Sequence, residues 1–409
     1  MSNSLLYHAF GVRGYRYLGT RYERGEVFLR IEPPRESLRC PACGHGHVHV
    51  VERFCRWWRT LPIGARSVWI EMFVPKVECQ SCGARRRVAV RFAAPKRRHT
   101  RRFERYVMQL LQFMTPSDAA RHLGISWDLA NDIQKRRLGK RFGRPKLKKL
   151  KRIAIDEIHL GKRHRFITLV LDLDSRAVVF VGEGKGADAL KPFWKRLKSS
   201  RAKIRAVATD MSPAYVAAVL KNLPKARLVF DRFHVVKLFN EKLTQLRREL
   251  YREAVDLLQK DVLKGTRWLL LKNPDNLDDK RNERQRLHEA LELNHSLAVA
   301  YYLKEDLRQF WQQPDRRTAE RFLKDWCARA EASGIRILQK FANTLRGHRG
   351  GLLAWYADPI RVPACGCGPL EGVNNKIKLL QRRAYGYRDL ELFKLRILSL
   401  HTTRYELVG

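Results

Sequence analysis

The chain has 409 residues, 44% of them hydrophobic, which is enough for two to four domains with cores of their own. Lysine and arginine total 83 against 41 acids, a formal net charge of +42. Self-repulsion on that scale is relieved by a polyanion, and no apolar run approaches the roughly 20 residues of a membrane span.

The start, MSNSLLYHAFG, lacks the basic, apolar and small-residue parts of a signal peptide, so a cytoplasmic protein is expected. Cations run from Arg13 to Arg404, so the charge is not one basic tail. Nucleic acid is the natural partner, and an anionic membrane is not expected. Charge alone does not separate DNA from RNA, or an enzyme from a packaging protein.

Residues 1–95 read as a small β-rich module. Cys40, Cys43, Cys79 and Cys82 form two C-x-x-C pairs, each followed by a glycine that permits a tight turn, Gly44 and Gly83. Four thiolates complete a tetrahedral zinc site with no open position, so one structural Zn2+ is expected. The gap between the pairs is longer than in compact zinc ribbons and holds alternating segments such as Arg66–Val74. His45, His47 and His49 are alternative ligands, more readily read as surface residues of a loop.

Residues 96–150 are basic and helical. Arg101 and Arg102 precede a helical repeat of Phe103, Val107, Leu110, Leu111 and Met114. Ser117 is read as the cap of the next helix, Gly124 as a turn, and Ser126 as the cap of a third helix carrying Leu129, Ala130 and Ile133. This is a helix-turn-helix pattern; a plain helical hairpin is the bland alternative, and the basic flanks favour DNA. Trp127, Asp128, Asn131, Gln134 and Lys135 are left to face a major groove, and Arg137–Arg152 reads as a cationic linker.

From Lys151 the chain turns β-forming. Strands are predicted at Arg152–Leu160, Arg165–Leu173, Ala177–Glu183, Ile204–Thr209 and Ala226–Phe230, with helices at Asp188–Leu197 and Pro213–Leu220. Three strands as a meander, then helix, strand, helix, strand, is the order of a ribonuclease-H-like fold in 151–240. In that fold the first and fourth strands are neighbours, so Asp156 and Asp210 come within reach of one metal. A carboxylate inside an apolar strand, as Asp156 is, loses hydration and needs cations or hydrogen bonds. The bland readings are acids in water on an edge strand for Asp156 and a helix cap for Asp210. Asp231 and His234 follow the fifth strand, and the residues leave two readings open: a helix cap, or groups that orient a phosphate or a metal-bound water.

Residues 241–360 read as an inserted helical subdomain, too long for a loop, with Trp268, Trp311, Trp326 and Trp355 as core. In 361–409, Gly368-Pro369 opens a helix with an apolar stripe of Leu370, Val373, Ile377 and Leu380. Glu371, Asn374, Asn375 and Lys378 share the adjoining polar face. Glu371 stands in the first turn, where the helix dipole favours an anion, although a solvated surface glutamate fits as well. Lys378, Arg382 and Arg383 are candidates for phosphate contacts.

These residues resemble bacterial insertion-sequence transposases of the ISL-three family, within the DDE superfamily. The resemblance is carried by the paired cysteines with WRTLP (58–62), the helix-turn-helix, AIDEI (154–158), ATDMS (208–212), DRFHV (231–235), LLLKNP (269–274), GPLEGVNNKIK (368–378) and AYGYR (384–388). Two departures stand out. Cys365-Gly-Cys367 occupies a place where relatives tend to have Ser-Asn, and FVPKVE (73–78) is less basic than in relatives.

The resemblance implies a multidomain α/β fold. A ribonuclease-H-like catalytic core is interrupted by an all-helical insertion and preceded by the zinc module and the helix-turn-helix. It further implies a catalytic triad of Asp156, Asp210 and Glu371 holding two Mg2+ or Mn2+, which cleave and join phosphodiesters. The expected partners are double-stranded DNA, as terminal inverted repeats and target, and further copies of the chain in a dimer or larger assembly. Bound to DNA it would sit with the bacterial nucleoid. The rival readings are a non-catalytic zinc and helix-turn-helix regulator, and a nuclease without strand transfer.

Overall fold

A computed structural model describes residues 3–161, 165–255, 257–356 and 368–401. Cys365 and Cys367 lie outside the described residues. The fold is mixed α/β and divides into two compact units, one formed by Met1–Gly143 with Gln381–Leu395, the other by Arg144–Leu380 with Arg396–His401. No helix among the described residues is long and apolar enough to cross a membrane.

The first unit opens with α1 (Asn3–Phe10) and continues through β1 (Arg16–Glu23), β2 (Glu26–Glu32), β3 (Val48–Ile63), β4 (Arg66–Cys79) and β5 (Arg85–Arg87). The strand order is β1-β2-β4-β3, with β5 against β4. The long spacing between the cysteine pairs is the length of the β3–β4 hairpin. Its antiparallel register pairs Val48 with Cys79, so the hairpin returns the second pair beside the first.

Three helices follow: α2 (Arg101–Phe113), α3 (Pro116–Leu123) and α4 (Trp127–Phe142). Phe103, Val107, Leu111, Ala119, Leu123 and Ile133 make their common core. Gly124 takes the left-handed turn at φ 61°, and Ser126 caps α4 by accepting from the Leu129 N–H, both as the sequence suggests. The cap of α3 is Thr115 rather than Ser117, because Pro116 starts the helix and Thr115 accepts from the Asp118 N–H. The expected linker is helical through Phe142, so α4 takes up its first six residues.

Arg59 ties this sheet to these helices. It is buried, its Nη2 donates to the Leu123 carbonyl at 3.0 Å, and its backbone bonds Arg98 and Thr100. Beside it, Glu104 is buried between α2 and α4, accepting from Arg136 at 2.7 Å and lying 3.0 Å from His99 Nε2.

The second unit holds β6 (Arg152–His159), β7 (Phe166–Asp172), β8 (Val178–Glu183), α5 (Lys191–Ser200), β9 (Ala206–Thr209), α6 (Pro213–Asn222), β10 (Arg227–Phe230) and α7 (Arg232–Glu253). The sheet order is β10-β9-β6-β7-β8. The first three strands of that order run parallel and the last two pairings are antiparallel. The strand bearing Asp156 is therefore central rather than an edge, and it neighbours the strand leading to Asp210. One face of the sheet packs on α5 and α6 through Ile153, Ile155, Phe193, Leu197, Tyr215 and Val219.

Helices continue with α8 (Leu257–Gly265), α9 (Arg267–Leu271), α10 (Glu283–Glu292), α11 (His295–Gln309), α12 (Arg316–Ala332), α13 (Arg336–Gly347) and α14 (Arg349–Leu353). Their shared core contains Phe239, Trp311, Trp326 and Phe341 and reaches Phe230 at the end of β10. A Cβ on Gly351 would run into the Phe230 ring, so α14 and the sheet meet there at closest approach. The helical stretch begins at Arg232 rather than 241, because Asp231 caps α7 directly after β10. Trp311 and Trp326 are core as expected, whereas Trp268 is 66% exposed, on the five-residue α9 whose buried side is Leu269 and Leu270. The chain ends in α15 (Gly368–Arg383) and α16 (Leu390–Leu398).

Burial alone would raise the Glu104 carboxyl. Hydrogen bonds from His99 and Arg136, with their charge, outweigh it and hold the group down at about 2. With an unfolded value near ~4.3, this stabilisation is present above that pH and is lost as pH falls through the folded value. We expect Glu104→Gln to cost roughly 2–3 kcal/mol near neutral pH. Thermal melts from about pH 6 down to about pH 2 should show the gap from wild type closing as acid is added.

Candidate functional site

The four cysteines form one cluster, with every sulfur within 4.8 Å of the others. Cys40 Sγ lies 3.7 Å from Cys82 Sγ, and Cys43 Sγ lies 3.6 Å from Cys79 Sγ. A tetrahedron with Zn–S near 2.3 Å has sulfur–sulfur edges of about 3.8 Å, so the cage has the size of a zinc ion. Both knuckles use one backbone pattern: Gly44 N–H to the Cys40 carbonyl and Gly83 N–H to the Cys79 carbonyl, each at 2.9 Å. Backbone N–H groups of Cys43 and Ala42 lower the Cys40 thiol to about 6. Cys79 is also lowered; burial opposes this, but the N–H groups of Cys82 and Ser81 and the neighbouring sulfurs prevail. His45, His47 and His49 are exposed and outside the cage. One zinc per chain should be found by elemental analysis. Cys79→Ser should lose it, with faster amide exchange at 40–48 and 79–84.

On the proposed DNA-facing helix, Trp127 and Lys135 are exposed, and Lys135 is paired with Asp389 at 2.8 Å. Asn131 is half-buried. Gln134 is withdrawn from that face, being 3% exposed beside Ile133 and Ala130 on the inward stripe of α4. It therefore cannot read a base edge as the sequence suggested. Arg101, Lys378, Arg382 and Arg383 are exposed and Arg102 is half-buried. Arg383 donates to the Phe113 carbonyl at 2.7 Å.

Strand alternation gives the adjacent acids Asp156 and Glu157 different surroundings. Glu157 shares the face of Ile155, where it accepts from Tyr215 Oη on α6 and from the Gly186 N–H. Asp156 takes the opposite face. Its Oδ2 accepts from Asn374 Nδ2 at 2.7 Å, and its Oδ1 lies 3.7 Å from His234 Nε2. His234 Nδ1 is 3.2 Å from Asp231 Oδ2.

Asp231 caps α7 through the Phe233 N–H, the first of the two readings open for it, and it also holds His234. Asp210 is not the cap of α6. Ser212 is, and Asp210 accepts from the Ser212 N–H at 3.1 Å just past β9. The parallel register pairs Ala154 with Ala208 and Phe230 with Thr209. Extended past the strand ends, it brings Asp156, Asp210 and Asp231 abreast, at strand spacings of roughly 5 Å.

Burial raises the Asp156 and Asp210 carboxyls, and each also feels a neighbouring carboxylate. Burial lowers His234, but the hydrogen bond to Asp231 and the charges of Asp156, Asp231 and Asp210 reverse this and raise it. Asn374 Oδ1 is buried with no hydrogen-bond partner among the described residues. Desolvated carboxylates abreast, beside an orphaned amide oxygen, form a hard-oxygen donor set suited to a divalent cation.

Glu371 is exposed on α15, three residues before Asn374 and so on the same side of that helix. Among the described residues, the cysteines alone make a group of three or more potential ligand atoms within 4.8 Å, so the three acids are not closed around one point. The sequence reading named Asn374 only as part of a polar face, and it missed the Glu157–Tyr215 contact. For Asn374 the available signal was its spacing from Glu371; for Tyr215 there was none.

Two family models match the chain. One, described as transposase and of the DDE type, matches residues 153–397. The other, the helix-turn-helix domain of transposase family ISL3, matches residues 88–138. The chain is 33% identical over 375 residues to the transposase for insertion sequence element IS1001 of Bordetella parapertussis, covering 90% of each. It is 28% identical over 413 residues to the transposase for insertion sequence element IS1557 of Mycobacterium tuberculosis, covering 94% of this chain and 90% of the relative. A chain of the Drosophila P element transposase strand transfer complex covers 63% of this chain and 78% of its own length, at 11% identity and a TM-score of 0.36, too slight a likeness to bear on this fold.

Proposed function

The chain belongs to transposase family ISL3, and from that premise we propose that it binds the terminal inverted repeats of an insertion sequence, cuts the DNA at those ends and joins them to a target. Strands β6–β10 with α15 are read as a ribonuclease-H-like core, and the helices from α7 to α14 as its insertion. Asp156, Asp210 and Glu371 are the proposed catalytic acids.

The observation that carries this reading is the row of carboxylates, half-buried Asp156 and Asp210 and buried Asp231, with His234 and Asn374 against it. Two magnesium or manganese ions held by the triad would supply activation of the attacking oxygen and stabilisation of the leaving one. The protein's own groups do the positioning. Asn374 fixes the rotamer of Asp156, Asp231 fixes the ring of His234, and the Ser212 N–H fixes Asp210. A raised His234 is a proton donor within reach of Asp156 and can neutralise the acids.

The cysteine cage would hold a zinc that shapes the β3–β4 hairpin and takes no part in chemistry. The helix-turn-helix and its basic flanks would grip the repeat, with Trp127, Asn131, Arg101, Arg102, Lys378, Arg382 and Arg383 as contacts. Both ends must be processed together, so a dimer or larger assembly on DNA is proposed, in the cytoplasm with the nucleoid.

The test is incubation of the protein with magnesium, labelled inverted-repeat DNA and a target plasmid. End cleavage followed by joining is expected, with a loss of about a thousandfold in Asp156→Ala, Asp210→Ala and Glu371→Ala. Cleavage without joining supports a nuclease, and binding without cleavage supports a regulator. Full activity in Asp156→Ala removes the assignment of that acid.

A further inference from the structure

The acids occupy one end of the parallel strands β10-β9-β6, and cations occupy the other. A groove of about 1460 Å³ opens there, lined by five lysines and four arginines against two aspartates. The pattern behind it is a repeat. Each of the three strands is entered through a cation–apolar–cation triplet: Lys149-Leu150-Lys151, Lys203-Ile204-Arg205 and Lys225-Ala226-Arg227. The middle residues belong to the core under the sheet, with Leu150 and Ile204 buried and Ala226 packed against them. The six flanking cations are all exposed and all line the groove.

Backbone bonds tie the triplets together, Arg205 N–H to the Lys151 carbonyl at 2.7 Å and Arg227 N–H to the Arg205 carbonyl at 2.9 Å. The register pairs Ala206 with both Arg152 and Arg227, so the first two triplets run level and the third is offset by one residue. Strands roughly 5 Å apart thus crowd like charges at one end of the sheet, an arrangement that is repulsive by itself. The two aspartates do not relieve it. Asp174 is taken by Arg152, and Asp172 accepts from the turn at Asp174 and Ser175. Among the described residues, Lys149, Lys151, Lys203, Arg205 and Lys225 make no ion pair.

We propose that this groove is a second binding site for duplex DNA, holding the phosphate backbone independently of sequence. The proposal takes from the preceding function only that the polyanion is DNA. A duplex carries one negative charge per ~1.7 Å of its axis, dense enough to neutralise the ladder. The lining is dominated by lysine and arginine, with no asparagine, glutamine or aromatic side chain, so what it chiefly offers is positive charge for phosphates. The cations at 151 and 152 lie roughly 15 Å from Asp156 along β6, at about 3.3 Å per residue.

The experiment is titration of a fluorescent random-sequence duplex with full-length protein across a salt series, without divalent metal, so that cleavage plays no part. The groove variant is Lys151→Gln/Arg205→Gln/Arg227→Gln, and the charge-matched control is Lys324→Gln/Arg336→Gln/Lys340→Gln on exposed positions of α12 and α13. Three lost phosphate contacts should weaken binding at least about tenfold and flatten the salt slope by about 2.7, with little change in the control. If the triple variant melts early, Lys203→Gln/Lys225→Gln, both fully at the surface, carries the same comparison. Equal losses in groove and control variants, or no loss in either, would overturn the proposal, as would a loss confined to duplex RNA. Failure of end cleavage in the wild type would strike at the transposase reading and leave this result standing.

Discussion

The parallel register of β6, β9 and β10 is the constraint on which the second unit depends. It pairs Arg152 with Ala206 and Ala206 with Arg227 at one end, and by extension sets Asp156 beside Asp210 and Asp231 at the other. A slip of one residue would turn Asp156 toward α5 and α6 and drive Ile155 out of their core. Such a slip is opposed by Ile153, Ile155 and Val207, all essentially fully buried on the face away from the acids. Hydrophobic packing on one face thus fixes the electrostatics of the other.

That arrangement has an electrostatic direction. Carboxylates gather where the parallel strands end, and lysines and arginines gather where they begin. Two desolvated acids beside one another are unfavourable, and so is a ladder of cations; each end is completed by a partner of opposite sign. In the protein alone, the acid end is balanced by His234, raised by the acids it faces, and by the amide of Asn374. These two groups come from α7 and α15, elements separated in the sequence by the helices α8 to α14.

What could be read from the chain follows from the range of each interaction. Strand positions and their order were legible because period-two apolar runs bounded by turns are local signals, and the predicted limits fall within two residues of those observed. The adjacency of Asp156 and the segment before Asp210 required knowledge of topology, and the strand order supplied it. Gln134 was misjudged because polarity was taken as exposure. On α4 it lies next to Ile133, and tertiary packing overrides the residue's preference. Trp268 was misjudged in the opposite sense, since α9 is one short turn and buries only its leucines. Thr115 was passed over for Ser117 because both are capping residues, and only the proline between them decides.

The first unit shows how a motif can be legible while its role is not. WRTLP stood out in the sequence with no chemistry attached. In the structure Trp58 fills the core of the sheet, and Arg59 reaches out of the same strand to the carbonyl of Leu123, the last residue of α3. That carbonyl lies where the helix's own hydrogen bonds run out, at the negative end of its dipole, so a guanidinium there satisfies an orphaned acceptor. Removing Arg59 would leave the acceptor buried and unpaired, and would disconnect the strand that leads from the cysteine cage from the turn that sets α4. The cysteine cage closes one end of the β3–β4 hairpin and Arg59 anchors the other. Through that hairpin, the proposed zinc site is linked mechanically to the helix proposed to meet DNA.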